Sequence, residues 1–135
     1  MPLLLDTHAV LGVGTGAAIS HPSRIAIDRA TDRGEVLVSP VSAWEIGLLV
    51  AKGRISLDRP PRLWFGYFLG LPGIRLVPLA PDAAILSSFL PGGFHNVPAD
   101  RLLVATAMAL AATLVTRDAR ILAYADAGHV AAPAC

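Results

Sequence analysis

Leu3-Leu4-Leu5-Asp6-Thr7-His8-Ala9 opens the chain with an apolar run of strand length that ends on a carboxylate. An apolar run of this length reads as a strand, the first of a series that alternates with helix-period segments as in a parallel sheet covered by helices. Asp6 then falls at the carboxyl end of that strand, the edge of an open parallel sheet where ligand sites form. Working outward, apolar runs of strand length keep alternating with longer helix-period segments. The strands are predicted over 3–5, 36–39, 75–78 and 113–116, with a short final one around 129–131. Helices are predicted over 7–11, 22–31, 41–51, 61–69, 81–89, 98–111 and 118–125, with proline near several starts and glycine near several ends. Such alternation predicts an α/β fold.

A chain of 135 residues, 54% of them hydrophobic, can bury one good core but not two ordinary ones, so a single domain over 1–135 is expected. The mean hydropathy of +0.59 raises the question of a membrane span. The longest apolar stretch, 102–115, is too short for a bilayer helix and is closed by Asp100 and Arg101 on one side and Arg117 and Asp118 on the other. No basic region precedes the first apolar run, which Asp6 ends too early for a secretory leader, so a cytoplasmic protein is expected. Cys135 is the only cysteine, which excludes an internal disulfide and a cysteine-based zinc cluster. Any metal must therefore be held by oxygen or imidazole. A net charge of +1 argues neither for nor against nucleic acid. Lys52 is the only lysine, so the other cations are guanidinium groups that can grip phosphate bidentately. No repeat or linker divides the chain, and the segment 91–98, with its two glycines, is predicted to be a mobile loop.

Of ten acidic residues, Asp6, Glu45, Asp100 and Asp118 sit beside apolar runs, where a carboxylate is costly unless something compensates it. Asp6 and Asp118 follow strands, Asp100 opens a helix, and Glu45 lies inside the apolar helix Ser42-Ala43-Trp44-Glu45-Ile46. Singly, the three aspartates read as helix caps or first-turn acids, and Glu45 as a half-exposed glutamate or one half of an ion pair. Jointly, one shared site explains all four. Carboxylates crowded together raise one another's pKa unless a divalent cation neutralises them, and oxygen-only ligation favours Mg²⁺ or Mn²⁺ over zinc. That chemistry suits hydrolysis of a phosphodiester.

A competing motif is Gly12-x-Gly14-x-x-Ala17, a variant of the dinucleotide fingerprint. It lacks the acid that should end the second strand, because Val36-Leu37-Val38 runs into Ser39-Pro40-Val41 and Glu35 precedes the strand. The glycines are read instead as a flexible turn. His8 and His95 are either cleft residues that touch phosphate or base, or ordinary surface hydrogen bonders. Arg101 and Arg117 adjoin the acids, where they steer phosphate or form ion pairs. Lys52, Arg54, Arg59 and Arg62 form the densest basic stretch, a nucleic-acid track or a solvated face. The segment Leu63-Trp64-Phe65-Gly66-Tyr67-Phe68-Leu69 holds half of the aromatic residues and must be covered by core, by a second copy or by a partner.

Four segments in order, Leu3-Leu4-Leu5-Asp6-Thr7-His8-Ala9, Val38-Ser39-Pro40-Val41-Ser42-Ala43-Trp44-Glu45-Ile46, Pro98-Ala99-Asp100-Arg101-Leu102-Leu103-Val104-Ala105 and Leu114-Val115-Thr116-Arg117-Asp118, resemble the PIN domain, specifically the VapC-type toxin ribonucleases. The resemblance implies a three-layer α/β/α fold with a short parallel sheet of four or five strands. It implies that Asp6, Glu45, Asp100 and Asp118 bind Mg²⁺ or Mn²⁺ and carry the catalysis, with Thr7 and Thr116 next to them and Arg101 and Arg117 toward substrate. It further implies an RNA substrate, a cognate VapB-type antitoxin and a homodimer. The sequence departs from the pattern at Val97, where an acid often precedes the proline, and at Gly12 to Gly16, where large apolar residues are usual. Those departures favour the alternative of a weakened PIN domain that serves as an RNA-binding or interaction module.

Overall fold

Four short strands, β1 (Leu3–Leu5), β2 (Val36–Val38), β3 (Ile74–Leu76) and β4 (Thr113–Val115), pair in parallel in the order β3-β2-β1-β4. The computed structural model describes residues 2–17 and 19–132. Cys135 lies outside them. Among the described residues, helices α1 (Thr7–Thr15), α2 (His21–Asp32), α3 (Pro40–Ala51), α4 (Pro61–Leu69), α5 (Pro81–Leu86), α6 (Pro98–Leu110) and α7 (Ala119–Asp126) link and cover the strands.

The leucine run of β1 shows why three layers form. Successive side chains of a strand point to opposite faces. Leu3 and Leu5 pack with Ala9 and Val10 of α1, Ile27 of α2 and Trp64 and Phe68 of α4. Leu4 packs on the other side with Val104 and Ala107 of α6 and Ile121 and Tyr124 of α7. A strand with a core on each face needs apolar residues at every position, as all three leucines supply. The chain runs outward from β1 through β2 to β3, then returns to place β4 on the other side of β1. This reversal leaves a crevice beyond the carboxyl ends of β1 and β4, the switch point where doubly wound sheets bind ligands.

Several boundaries differ from the sequence reading for physical reasons. β2 stops at Val38 because the Ser39 hydroxyl turns to accept the Val41 amide at 3.1 Å and cap α3. The final strand predicted around 129–131 is reduced to one parallel bridge, between Ala131 and Thr113. The largest difference is α1, which continues through Gly12 and Gly14 to Thr15 where a flexible turn was predicted. Gly14 is a packing notch: a Cβ there would fall 2.4 Å from the Trp64 ring. The turn comes only at Gly16, whose φ of 77° closes the helix in the left-handed region.

The aromatic segment is divided between core and surface. Trp64, Phe65 and Phe68 are buried, whereas Leu63 and Tyr67 stay exposed. No helix among the described residues is long and apolar enough to cross a membrane.

Candidate metal centre

Asp6 leaves β1 in an extended conformation, and its amide donates to the Val115 carbonyl at 3.1 Å, locking the ends of β1 and β4 together. Its Oδ1 accepts the Ala9 amide at 2.8 Å and caps α1. Asp118 does the same for α7, where its Oδ1 accepts the amides of Arg120 at 2.9 Å and Ile121 at 3.1 Å. The fully buried Thr116 joins these two acids, since its hydroxyl donates to Asp6 and accepts the Asp118 amide at 3.0 Å. The capping role and a shared site are thus compatible, because the cap fixes each carboxylate at the sheet edge.

Asp100 stands in the first turn of α6 without capping it; the capping position is Val97, which makes no side-chain bond. Its Oδ2 lies 2.9 Å from His95 Nε2. Glu45 reaches the same crevice from α3, held by a hydrogen bond donated from the Thr7 hydroxyl. All four acids line one cavity of about 260 Å³, together with Thr7, His8, Val97 and Arg120. Sequence positions from 6 to 118 therefore meet at one place.

The electrostatics of the cavity carry the mark of crowding. Burial pushes Asp100 up to about 6, and the neighbouring Asp118, Glu45 and Asp6 add to that rise while Arg120 opposes it. Burial also raises Asp6, partly offset by the Thr116 and Ala9 hydrogen bonds. For Asp118, burial is outweighed by the amides of Ile121 and Arg120 and by the Arg120 guanidinium, which hold it below the usual carboxylate range. Burial, with Arg120 and Arg101, lowers His95, whose Nε2 shares a hydrogen bond with Asp100 while its buried Nδ1 meets no partner among the described residues. As they stand, no three acidic, histidine or cysteine side chains among the described residues are close enough together to hold an ion. The four carboxylates face a common space without having closed on it.

Residues 3–127 match the sequence model of the PIN domain family. The chain belongs to the PIN domain family. Over 123 residues, 90% of this chain and 91% of the relative, the PIN domain is 32% identical to Ribonuclease VapC22 of Mycobacterium tuberculosis. Its fold is similar to VapBC2 of Rickettsia felis bound to a promoter DNA fragment, with a TM-score of 0.71 at 15% identity over 99% of this chain and 98% of that one. It is similar as well to DNA-bound VapBC of Salmonella typhimurium, with a TM-score of 0.67 at 15% identity and the same coverage. FitAcB of Neisseria gonorrhoeae follows with a TM-score of 0.63 at 24% identity, covering 96% of this chain and 95% of that chain.

Two arginines of this PIN domain divide their work differently from the sequence reading. Arg101 turns away from the acids and donates to the carbonyls of Ser87 at 2.6 Å, Phe94 at 2.8 Å and His95 at 3.0 Å. With the Tyr124 hydroxyl on the Pro91 carbonyl, it pins the segment 91–98 that was predicted to be mobile. Arg117 is exposed and is not among the residues lining the cavity. Among the described residues, Arg120 faces the acids, 3.5 Å from Asp118 and 3.9 Å from Asp100. Sequence reasoning passed over it, although Asp118-Ala119-Arg120 at a helix start sets the two side chains within one turn.

Proposed function

We propose that this chain is a Mg²⁺- or Mn²⁺-dependent endoribonuclease of the VapC type, the toxin of a toxin-antitoxin pair, formed by one nuclease domain over 1–135. The observation that carries the reading is the meeting of Asp6, Glu45, Asp100 and Asp118 at the sheet switch point of a PIN domain. The kinship to a ribonuclease points to RNA as the substrate. An all-oxygen donor set with a carboxyl raised to about 6 by its neighbours fits a hard dication, whose charge would relieve the repulsion. When bound, such an ion supplies the Lewis acidity that makes water a nucleophile at neutral pH and offsets charge on the phosphate.

The protein's own groups then have separable tasks. Thr116 and the helix amides orient Asp6 and Asp118, Thr7 orients Glu45, and His95 orients Asp100. Arg120 faces the same cavity and can meet a phosphate oxygen as well as an acid. The Arg101 side chain holds the loop that carries His95, so it positions rather than touches substrate. Trp44 and Leu48 are exposed on α3, the helix that carries Glu45, and suit an antitoxin segment that covers the cavity. A homodimer and a cytoplasmic RNA pool complete this reading.

Val97 favours a second reading, because it lines the cavity at a place where a further acid would strengthen ion binding. A weakened PIN domain would bind RNA or a partner protein without cutting. RNA cleavage with Mn²⁺ or Mg²⁺ separates the two: the nuclease reading expects cutting that Asp6→Asn or Asp100→Asn abolishes. Undiminished cutting by those variants overturns the acid assignment, and no cutting by the parent favours the weakened module. Mapping of cellular RNA ends after induced expression would name the target.

A further inference from the structure

We propose that a second cavity, adjoining the acid cavity across Arg120, is the seat of a nucleobase next to the phosphate being cut. The proposal rests on the nuclease reading and adds a substrate contact to it. The cavity measures about 340 Å³, in the range of small-ligand sites, and lies between α7 and the pinned loop before α6. Its walls include Phe94, His95, Tyr124 and His129, with the Gly92 and Gly93 backbone along one side.

These rings form one continuous run. Phe94 stands 4.2 Å from His95 and 4.9 Å from Tyr124, and Tyr124 is stacked on His129 at 4.4 Å with 23° between the planes. Phe94 and Tyr124 are buried and so are fixed in place, while His129 is only half-buried. The platform is braced on both sides: the Tyr124 hydroxyl donates to the Pro91 carbonyl, and the His129 amide donates to the Tyr124 carbonyl at 3.3 Å. Gly92, at a φ of 78°, lets the His129 ring lie where a Cβ would come within 2.5 Å of it. The rings are tilted against one another except at the stacked Tyr124–His129 pair, and a braced, half-buried ring such as His129 is what a nucleobase stacks on, whatever its identity.

Two residues connect this wall to the acids. Arg120 lines both cavities, and His95 lines this one while its Nε2 holds Asp100. A base lying against His129 would therefore have its phosphate carried past Arg120 toward the four carboxylates. Charge orders the path in the same sense, with a guanidinium between an aromatic pocket and an anionic one. Base-edge hydrogen bonds would come from the exposed backbone of Gly92 and Gly93 and from the imidazole, giving a preference at one position of the cleaved sequence.

The test uses the full chain and the four nucleoside monophosphates, with side-chain NMR of the histidine and tyrosine rings in the presence of a chelator. We expect at least one monophosphate to shift the His129 and Tyr124 signals saturably. His129→Ala should weaken that binding at least about fivefold and His129→Phe should keep most of it, since stacking survives the second change. On RNA of mixed sequence, His129→Ala should flatten the nucleotide preference at one position beside the cut and raise KM more than it lowers kcat. Ring signals that no monophosphate moves, or a cleavage pattern unchanged in His129→Ala, would overturn the proposal while leaving the nuclease reading intact. Shifted rings in a protein that cuts no RNA would uphold the pocket and sink the nuclease reading instead.

Discussion

Replacing Asp100 by Asn should stabilise the metal-free protein while destroying its proposed site. The Asp100 carboxyl is raised from 3.8 to about 6 by burial and by Asp118 and Glu45, so ionising it in the fold costs more than in the unfolded chain. About two pKa units correspond to roughly 3 kcal/mol at most, and the open, wetted cavity reduces this to roughly 1–2 kcal/mol. Because the native pKa lies above the unfolded one, the folded form holds its proton more tightly between 3.8 and about 6. Stability is therefore lost as pH rises through that window, and the deficit is complete above about 7. Asn carries no charge and can still accept the His95 hydrogen bond. Thermal unfolding in chelator should show the Asn variant higher by roughly 4–8 °C at pH 7.5, with the two proteins converging near pH 4. Saturating Mn²⁺ should reverse the order, because only the parent gains ligand stabilisation of roughly 2–3 kcal/mol at a hundredfold excess over Kd. An Asn variant that is no more stable than the parent at pH 7.5 without metal would refute the reasoning.

Other predictions concern the groups that hold the site. Asp118→Ala should lower stability by about 1 kcal/mol through loss of the α7 cap, whereas Asp118→Asn should keep the cap, lose less stability than the alanine variant and lose the activity, as paired denaturation and cleavage assays would show. Gly14→Ala should cost roughly 1–3 kcal/mol in denaturant unfolding, because the added methyl meets the buried Trp64 ring. Arg101→Met should loosen the segment 91–98, read as faster proteolysis there and a loss of roughly 2–3 kcal/mol, and Arg101→Lys should fail to restore three carbonyl contacts that need a planar fork.

The sheet was legible in the sequence because strand-length apolar runs alternate with longer helix-period segments, the pattern of a parallel sheet covered by helices. The acids stood out because a carboxylate beside an apolar run must be compensated, and all four line one cavity at the switch point. What could not be read was pairing at close range. The Gly12 and Gly14 positions look like a turn until Trp64, fifty residues on, is seen to occupy the space a side chain at Gly14 would need, and Ile19 to crowd the one at Gly12. Arg101 looks like a phosphate contact until three carbonyls of a loop are found to claim its donors. The exposed Arg120 carries no hydrophobic signal, and its place between two cavities exists only once α7 is docked. Helix ends slipped for the same reason: caps such as Ser39 depend on which amide the side chain finds.

The account stands most directly on where a divalent ion goes. Adding substoichiometric Mn²⁺ to isotope-labelled protein and following paramagnetic broadening would map that position without reference to activity. The account predicts that signals of Asp6, Glu45, Asp100 and Asp118 vanish first and together, with Thr7 and Thr116 close behind. Broadening centred elsewhere on the molecule, or reaching Asp6 and Asp118 while sparing Glu45 and Asp100, would contradict it.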